Sequence, residues 1–156
     1  MHRWLSRADR LEILRLLRLL LREQVSIADA GTIFRVVHRA GPEWSALDLL
    51  PAVRAALKPR LAPAEVRAAD PVWLPAELEA EVKAGYDPAS PAEWRLPRAD
   101  TTTLMRHLSD WHQSQAGSGP IVVRDPKLRP FCWRLLAGLV PGPVWVLAKE
   151  EIDELD

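Results

Sequence analysis

The stretch Asp125-Pro126-Lys127-Leu128-Arg129-Pro130-Phe131 is where the residue types of this 156-residue chain come nearest to a chemical site. It follows the apolar run Ile121-Val122-Val123. That places it at the carboxyl end of an expected strand and the start of an expected helix, where ligand sites of α/β units gather. Asp125 is an expected N-cap and Pro126 an expected first helical residue, because the fixed φ of proline suits that position. Arg124, Lys127 and Arg129 crowd the same turn, so an anion or an acidic partner could dock on free N–H groups there. Capping by Asp125 and solvation of the basic side chains explain the same residues without a ligand. That reading is the favoured one, and no small-molecule ligand is expected.

Other chemistry is poorly supported. Gly117-Ser118-Gly119 lacks the lysine and the following helix of a phosphate loop, and precedes a strand, where a turn suffices. His107 and His112 are five apart on one expected helix, on different faces, so they do not share a metal. Ser118 has no Gly-x-Ser-x-Gly elbow around it and no base assigned to it. Cys132 is the single cysteine, which excludes an intrachain disulfide or a Cys-rich zinc site. Its place in an apolar helical pattern reads as an inert buried thiol in a reducing, cytoplasmic compartment. Glu150 and Glu151 belong to an acidic tail expected to fray, where burial cannot tune a carboxylate. No catalytic residue, cofactor or metal is expected, and the chain reads as a non-enzyme.

Lysine plus arginine and aspartate plus glutamate number 21 each, so no net field points to nucleic acid or an anionic membrane. The early arginines (Arg7, Arg10, Arg15, Arg18, Arg22) read as the wet side of a helix. Leu16 to Leu21 is the longest apolar run; Arg18 breaks it, and it falls far short of the roughly 20 residues of a membrane span. The pattern of a signal peptide is not seen. Of the seven tryptophans, Trp73, Trp94, Trp111, Trp133 and Trp145 are expected in the core. Trp4 and Trp44, in polar surroundings, are the candidate contact residues.

The elements that position these residues are legible from punctuation and periodicity. A helix is expected from about Arg7 to Glu23, its apolar arc wide enough to pack on more than one side. Ser26 is the expected N-cap of a second, with Ile27, Ala30, Ile33 or Phe34, and Val37 buried, and Gly41-Pro42 stopping it. A third runs from about Asp48 to Lys58; Pro51 is tolerated in its first turn and otherwise kinks it. After Leu61 the chain becomes proline-rich. Val72-Trp73-Leu74 and Glu93-Trp94-Arg95-Leu96 read as short β runs, Ala76 to Ala84 as an acidic helix closed by Gly85, and about Pro97 or Asp100 to Gln115 as another helix. Ile121–Val123, the helix after Asp125 and the strand Val144–Leu147 form a βαβ unit of parallel strands. The fold class is α+β: a helical subdomain, 1–61, then a small α/β subdomain, 62–156, with a C-terminal parallel βαβ unit.

Several motifs in this order resemble the type III secretion and flagellar export-gate family, the FlhA-like (FHIPEP) proteins. Val25-Ser26-Ile27-Ala28-Asp29 with Thr32-Ile33 is similar to its V-S-I-R-D-x-x-T-I segment, with Ala28 in place of the arginine. Leu49-Leu50 with Val53-Arg54-Ala55-Ala56-Leu57 resembles L-L-x-x-V-R-x-A-L, and Leu74-Pro75-Ala76-Glu77-Leu78-Glu79 resembles L-D-P-E-L-E. Pro126-Lys127-Leu128-Arg129-Pro130-Phe131 resembles S-P-R-L-R-P-Y/F after a strand. Val146-Leu147 and Glu150-Glu151-Ile152 stand where that family has a final strand and an acidic ending.

The resemblance covers nearly the whole chain and corresponds to the last two subdomains of the family's cytoplasmic region. It implies protein export. Members form a homo-nonameric ring beneath the inner-membrane channel and contact chaperone–substrate complexes. The expected partners are therefore proteins (other copies, secretion substrates or chaperones), with no nucleic acid and no membrane insertion. The alternative is a stand-alone adaptor using the same fold outside a secretion machine. Arg124, Lys127, Arg129, Trp4 and Trp44 are the candidate binding residues.

Overall fold

The computed structural model describes residues 6–85, 98–115 and 119–152. The chain divides into two compact units, Met1–Leu61 and Ala62–Asp156.

The first unit is three helices. Helix α1, Arg7–Arg22, starts at a capping box in which Ser6 and Asp9 satisfy each other's backbone N–H groups. Ile13, Leu16 and Leu20 are buried, and α1 packs on α3, Ala46–Ala56. The wide leucine arc is not covered all round: Leu11, Leu14 and Leu21 stay exposed. Helix α2, Ala30–Ala40, is capped by Asp29 rather than Ser26. Asp29 accepts the Thr32 N–H at 3.2 Å and its hydroxyl at 2.7 Å, and these bonds hold its carboxyl below the usual range. Ser26 accepts only the Ala28 N–H nearby. Ile33 and Val37 are buried, whereas Ala30 and Phe34 are exposed. Gly41, with φ +72°, ends α2 in a conformation that side chains disfavour.

Ser45 caps α3, and Pro51 falls inside that helix, beyond the first turn. The missing N–H removes one bond, to the Leu47 carbonyl. Leu49, Leu50 and Val53 bury the surrounding face, so packing holds the helix through its local defect. A 3₁₀ turn, Lys58–Arg60, follows. Glu23 and Arg54, 7 % and 2 % exposed, approach to 3.7 Å inside this unit.

The second unit opens with α4, Ala64–Ala68, a short helix that the sequence reading did not anticipate. Strand β1, Val72–Trp73, leads into α5, Ala76–Ala84, which ends at Gly85 as expected. The run Glu93–Leu96 lies outside the described residues. Helix α6, Arg98–Ser114, precedes β2, Ile121–Val123; then come α7, Arg129–Leu139, and β3, Val146–Ala148. The three strands form one sheet in the order β1-β2-β3, parallel throughout. Helices α5, α6 and α7 pack on one another, and α7 also on β3. Leu74, Leu78, Leu104, Leu108, Val123, Phe131 and Leu136 are part of the core between them. The parallel βαβ unit is present, and β1 extends it to a third strand. Helices come first and the sheet last, so the fold is α+β.

The Asp125 turn differs from its expected form. Helix α7 begins at Arg129, and Pro130 rather than Pro126 occupies its first turn. Asp125 closes a tight turn, accepting the Lys127 N–H on its side chain (2.9 Å) and the Leu128 N–H on its carbonyl (3.0 Å). A carboxylate that binds two residues ahead makes a turn as readily as a helix cap, and spacing alone does not separate them.

Candidate functional site

The loop at the carboxyl ends of β1 and β2 holds two of the five candidate binding residues, Arg124 and Lys127. The Val72 N–H donates to the Pro120 carbonyl at 2.9 Å, and the Leu74 N–H to Val122 at 3.0 Å. The next rung of this parallel ladder would join the Arg124 N–H to the Leu74 carbonyl. A side chain replaces it. The Arg124 N–H donates to Glu79 Oε1 at 2.9 Å and the Asp125 N–H to the same oxygen at 3.2 Å. The Arg124 guanidinium donates to the Leu74 carbonyl at 2.6 Å and to Glu79 Oε2 at 2.8 Å. It also lies 5.2 Å from the centre of the Trp73 ring, close enough for a cation–π contact.

The N–H groups to which an anion could dock are therefore occupied by a carboxylate of the chain itself. Glu79, 7 % exposed, supplies the negative charge, and α5 carries it there.

A second arrangement closes the other edge of the sheet. The Ile121 N–H donates to the Trp145 carbonyl, which turns the Val146 and Ala148 backbone groups outward from β2. Arg129 Nη1 donates to the Val146 carbonyl at 3.2 Å, and the Ala148 N–H donates to Glu151 Oε1 at 2.9 Å. Arg129 Nε and Glu151 Oε1 are 4.0 Å apart, with both residues under 5 % exposed. Such side chains blunt an edge that could otherwise pair with another strand.

Arg129 is thus an interior residue, not a solvated contact, because its charge has a carbonyl and a carboxylate to bind. Glu151 is not part of a frayed tail: it sits in a 3₁₀ turn, Lys149–Glu151, and is buried. Arg124, half exposed, belongs to the Glu79 clamp. Lys127 is exposed on the same loop, and Trp44 is half-buried in the first unit. Trp4 lies outside the described residues. Trp73 is 38 % exposed beside Arg124 rather than buried, while Trp111 and Trp133 pack partly against the core.

At the opposite, amino end of the sheet is a cleft of about 140 Å³ lined by Trp111, His112, Gly119, Val144 and Trp145, among others. His112 stands edge-on to Trp111. His107, on the neighbouring turn, binds the Glu81 carboxylate of α5 at 3.0 Å. The two histidines go separate ways. Cys132 is fully buried, and desolvation pushes its thiol up to about 12, which makes it a poor nucleophile.

Sequence reasoning missed the role of Glu79, although a signal was present. Leu78 and Val82 form the buried stripe of α5, and Glu79 lies beside them at helical spacing. A carboxylate on such a stripe calls for a hidden partner. Glu151, adjoining the last strand, carried no comparable signal.

The FHIPEP family model matches residues 6–155. The nonameric SctV-C of EPEC superposes with a TM-score of 0.72 at 24 % identity, covering 92 % of this chain and 44 % of that one. The CdsV protein of Chlamydia pneumoniae gives 0.71 at 20 % identity, with 92 % and 43 % covered. The MxiA protein of Shigella flexneri gives 0.67 at 21 %, with 92 % and 46 %. At these identities the likeness establishes a common fold, and this chain spans less than half of each solved chain. No curated protein matches the sequence.

Proposed function

This chain belongs to the FHIPEP family, the type III secretion export-gate family, and from that membership we propose that it is a non-enzymatic interaction module that serves protein export by self-association and by docking secretion substrates or their chaperones. The observation that carries the reading is the family match over residues 6–155, across both compact units. Two features of the second unit support it. The loop suited to an anion is filled by Glu79. Arg124, Glu79, Arg129 and Glu151, at the sheet's ends and edge, have structural partners. The solved relative from EPEC is nonameric, and self-association is the corresponding property proposed here.

The proposed location is cytoplasmic; among the described residues no helix is long and apolar enough to cross a membrane. Lys127 and Trp44, which retain solvent access, are the sequence-derived contact candidates that fit a docking role. Sedimentation velocity over a wide concentration range, with titration calorimetry against secretion chaperones and substrates, tests the proposal. Growth of a larger species and saturable binding are expected. A strictly monomeric chain that binds none of them would overturn it.

A further inference from the structure

Five arginines and three leucines share the solvent side of α1. Arg7, Arg10, Arg15, Arg18 and Arg22 are all exposed, as are Leu11 (58 %), Leu14 (44 %) and Leu21 (53 %). With about 100° per residue, Leu11, Leu14, Arg18 and Leu21 follow one line along the helix. Their spacing of three, four and three is that of a seam between two helices. The carboxylates of α1 and its end are engaged elsewhere: Asp9 accepts the Ser6 N–H at 2.9 Å, Glu12 accepts the Ala46 N–H at 2.7 Å as well as Arg15, and Glu23 is buried. The outward half is both apolar and cationic.

A single exposed leucine needs no explanation, but three on one seam, with Arg18 among them, mark a face. We propose that this face of α1 docks an acidic amphipathic helix of a partner protein, leucine-type side chains meeting Leu11, Leu14 and Leu21 and carboxylates meeting the flanking arginines. The assignment rests on the interaction reading above and names a surface and a partner chemistry for it.

Charge selects this occupant. Two α1 helices face to face would oppose arginine to arginine, and like charges across an interface are strongly unfavourable. The acidic helix α5 of another copy offers little, since its leucine-type side chains, Leu78 and Val82, are buried in that copy's own core, and Glu79 is held by Arg124 and Glu81 by His107. A membrane surface fits less well. An interfacial helix inserts its apolar face, whereas Ile13, Leu16 and Leu20 are already buried against the protein. The exposed leucines are interleaved with guanidinium groups, and the chain has no net charge.

The probe is a labelled synthetic helical peptide with leucines at three- and four-residue spacing and glutamates beside them, titrated by fluorescence anisotropy against the whole chain. Saturable binding is expected, weakened about tenfold by Leu14→Ala and by Arg18→Glu. Raising salt from about 0.05 M to about 0.5 M weakens it further, and Arg134→Ala, at an exposed position of the second unit, leaves it unchanged. Both α1 positions are exposed, so circular dichroism should show the fold intact. Absence of binding, indifference to both α1 variants, or equal binding of a serine-for-leucine peptide of the same charge would overturn the proposal. So would binding to anionic phospholipid vesicles that the same variants abolish while peptide binding persists. Sedimentation of the two variants separates this idea from the broader one. Self-association that persists while no peptide binds removes the docking face and leaves the export module standing. Self-association lost through either variant assigns the face to a second copy and overturns the docking of a separate partner.

Discussion

Glu79 on α5 and Arg124 at the end of β2, 45 residues apart in sequence, are joined by two bonds: the carboxylate accepts the Arg124 backbone N–H at 2.9 Å and its guanidinium at 2.8 Å, and the guanidinium passes on to the Leu74 carbonyl. Two side chains thereby stand in for a rung of the parallel ladder and tie α5 to the sheet. An anion site read from sequence becomes a structural clamp, because the anion is covalently part of the chain.

Removing that carboxylate leaves two backbone donors and a guanidinium without their acceptor. Glu79→Ala should destabilise the second unit by about 3 kcal/mol, measured by urea denaturation. Glu79→Gln should cost less, since its amide oxygen still accepts. An alanine variant as stable as the parent would show that water replaces the carboxylate freely.

The pair Arg129 and Glu151 should behave as a buried couple. Either Arg129→Met or Glu151→Gln alone should cost about 3 kcal/mol, because the remaining charge loses its counterpart. The double variant should cost less than the sum of the two, with a coupling of about 1–3 kcal/mol in a thermodynamic cycle. Strict additivity would mean that the 4.0 Å approach is not an interaction.

Two glycines should respond oppositely to alanine. A Cβ on Gly119 would overlap the Asp70 carbonyl, a backbone group with no side chain to swing aside. Gly119→Ala should therefore destabilise by about 1–3 kcal/mol. Gly138, in α7, has open space around its missing Cβ. Gly138→Ala should stabilise by about 0.5–1 kcal/mol. Thermal unfolding of both variants checks the contrast.

Cys132 should not react with a thiol reagent in the native protein and should react promptly once it is unfolded. Its folded value is raised to about 12 from an ordinary 9.0. The neutral thiol is thus favoured by folding; its contribution is complete below about pH 9 and is lost as pH rises toward 12. Cys132→Ala should flatten the fall of stability over that alkaline window. Rapid native labelling at neutral pH would contradict the burial.

Local chemistry explains why so much of the fold was legible. Pro75 and Gly85 bracket α5, Gly41 ends α2, and the apolar runs at Ile121 and Val146 can only be buried strands. The failures are also local. Ser26 and Asp29 are both good caps, and the choice of Asp29 depended on where Ile33 and Val37 had to face. Pro51 sits inside α3 because packing of Leu50 and Val53 outweighs one lost backbone bond.

By itself the sequence determined most of the succession of elements, though not α4, together with the parallel βαβ unit and the family motifs, all of which depend on residues close together in the chain. Only the tertiary structure decided the fates of Arg124, Arg129, Glu79 and Glu151. A charged side chain looks the same in sequence whether it is solvated or buried. Which it becomes depends on a counter-charge or carbonyl delivered from another element, here Glu79 from α5 and Glu151 from beyond β3. The Asp125–Phe131 stretch therefore marks the family and secures the sheet.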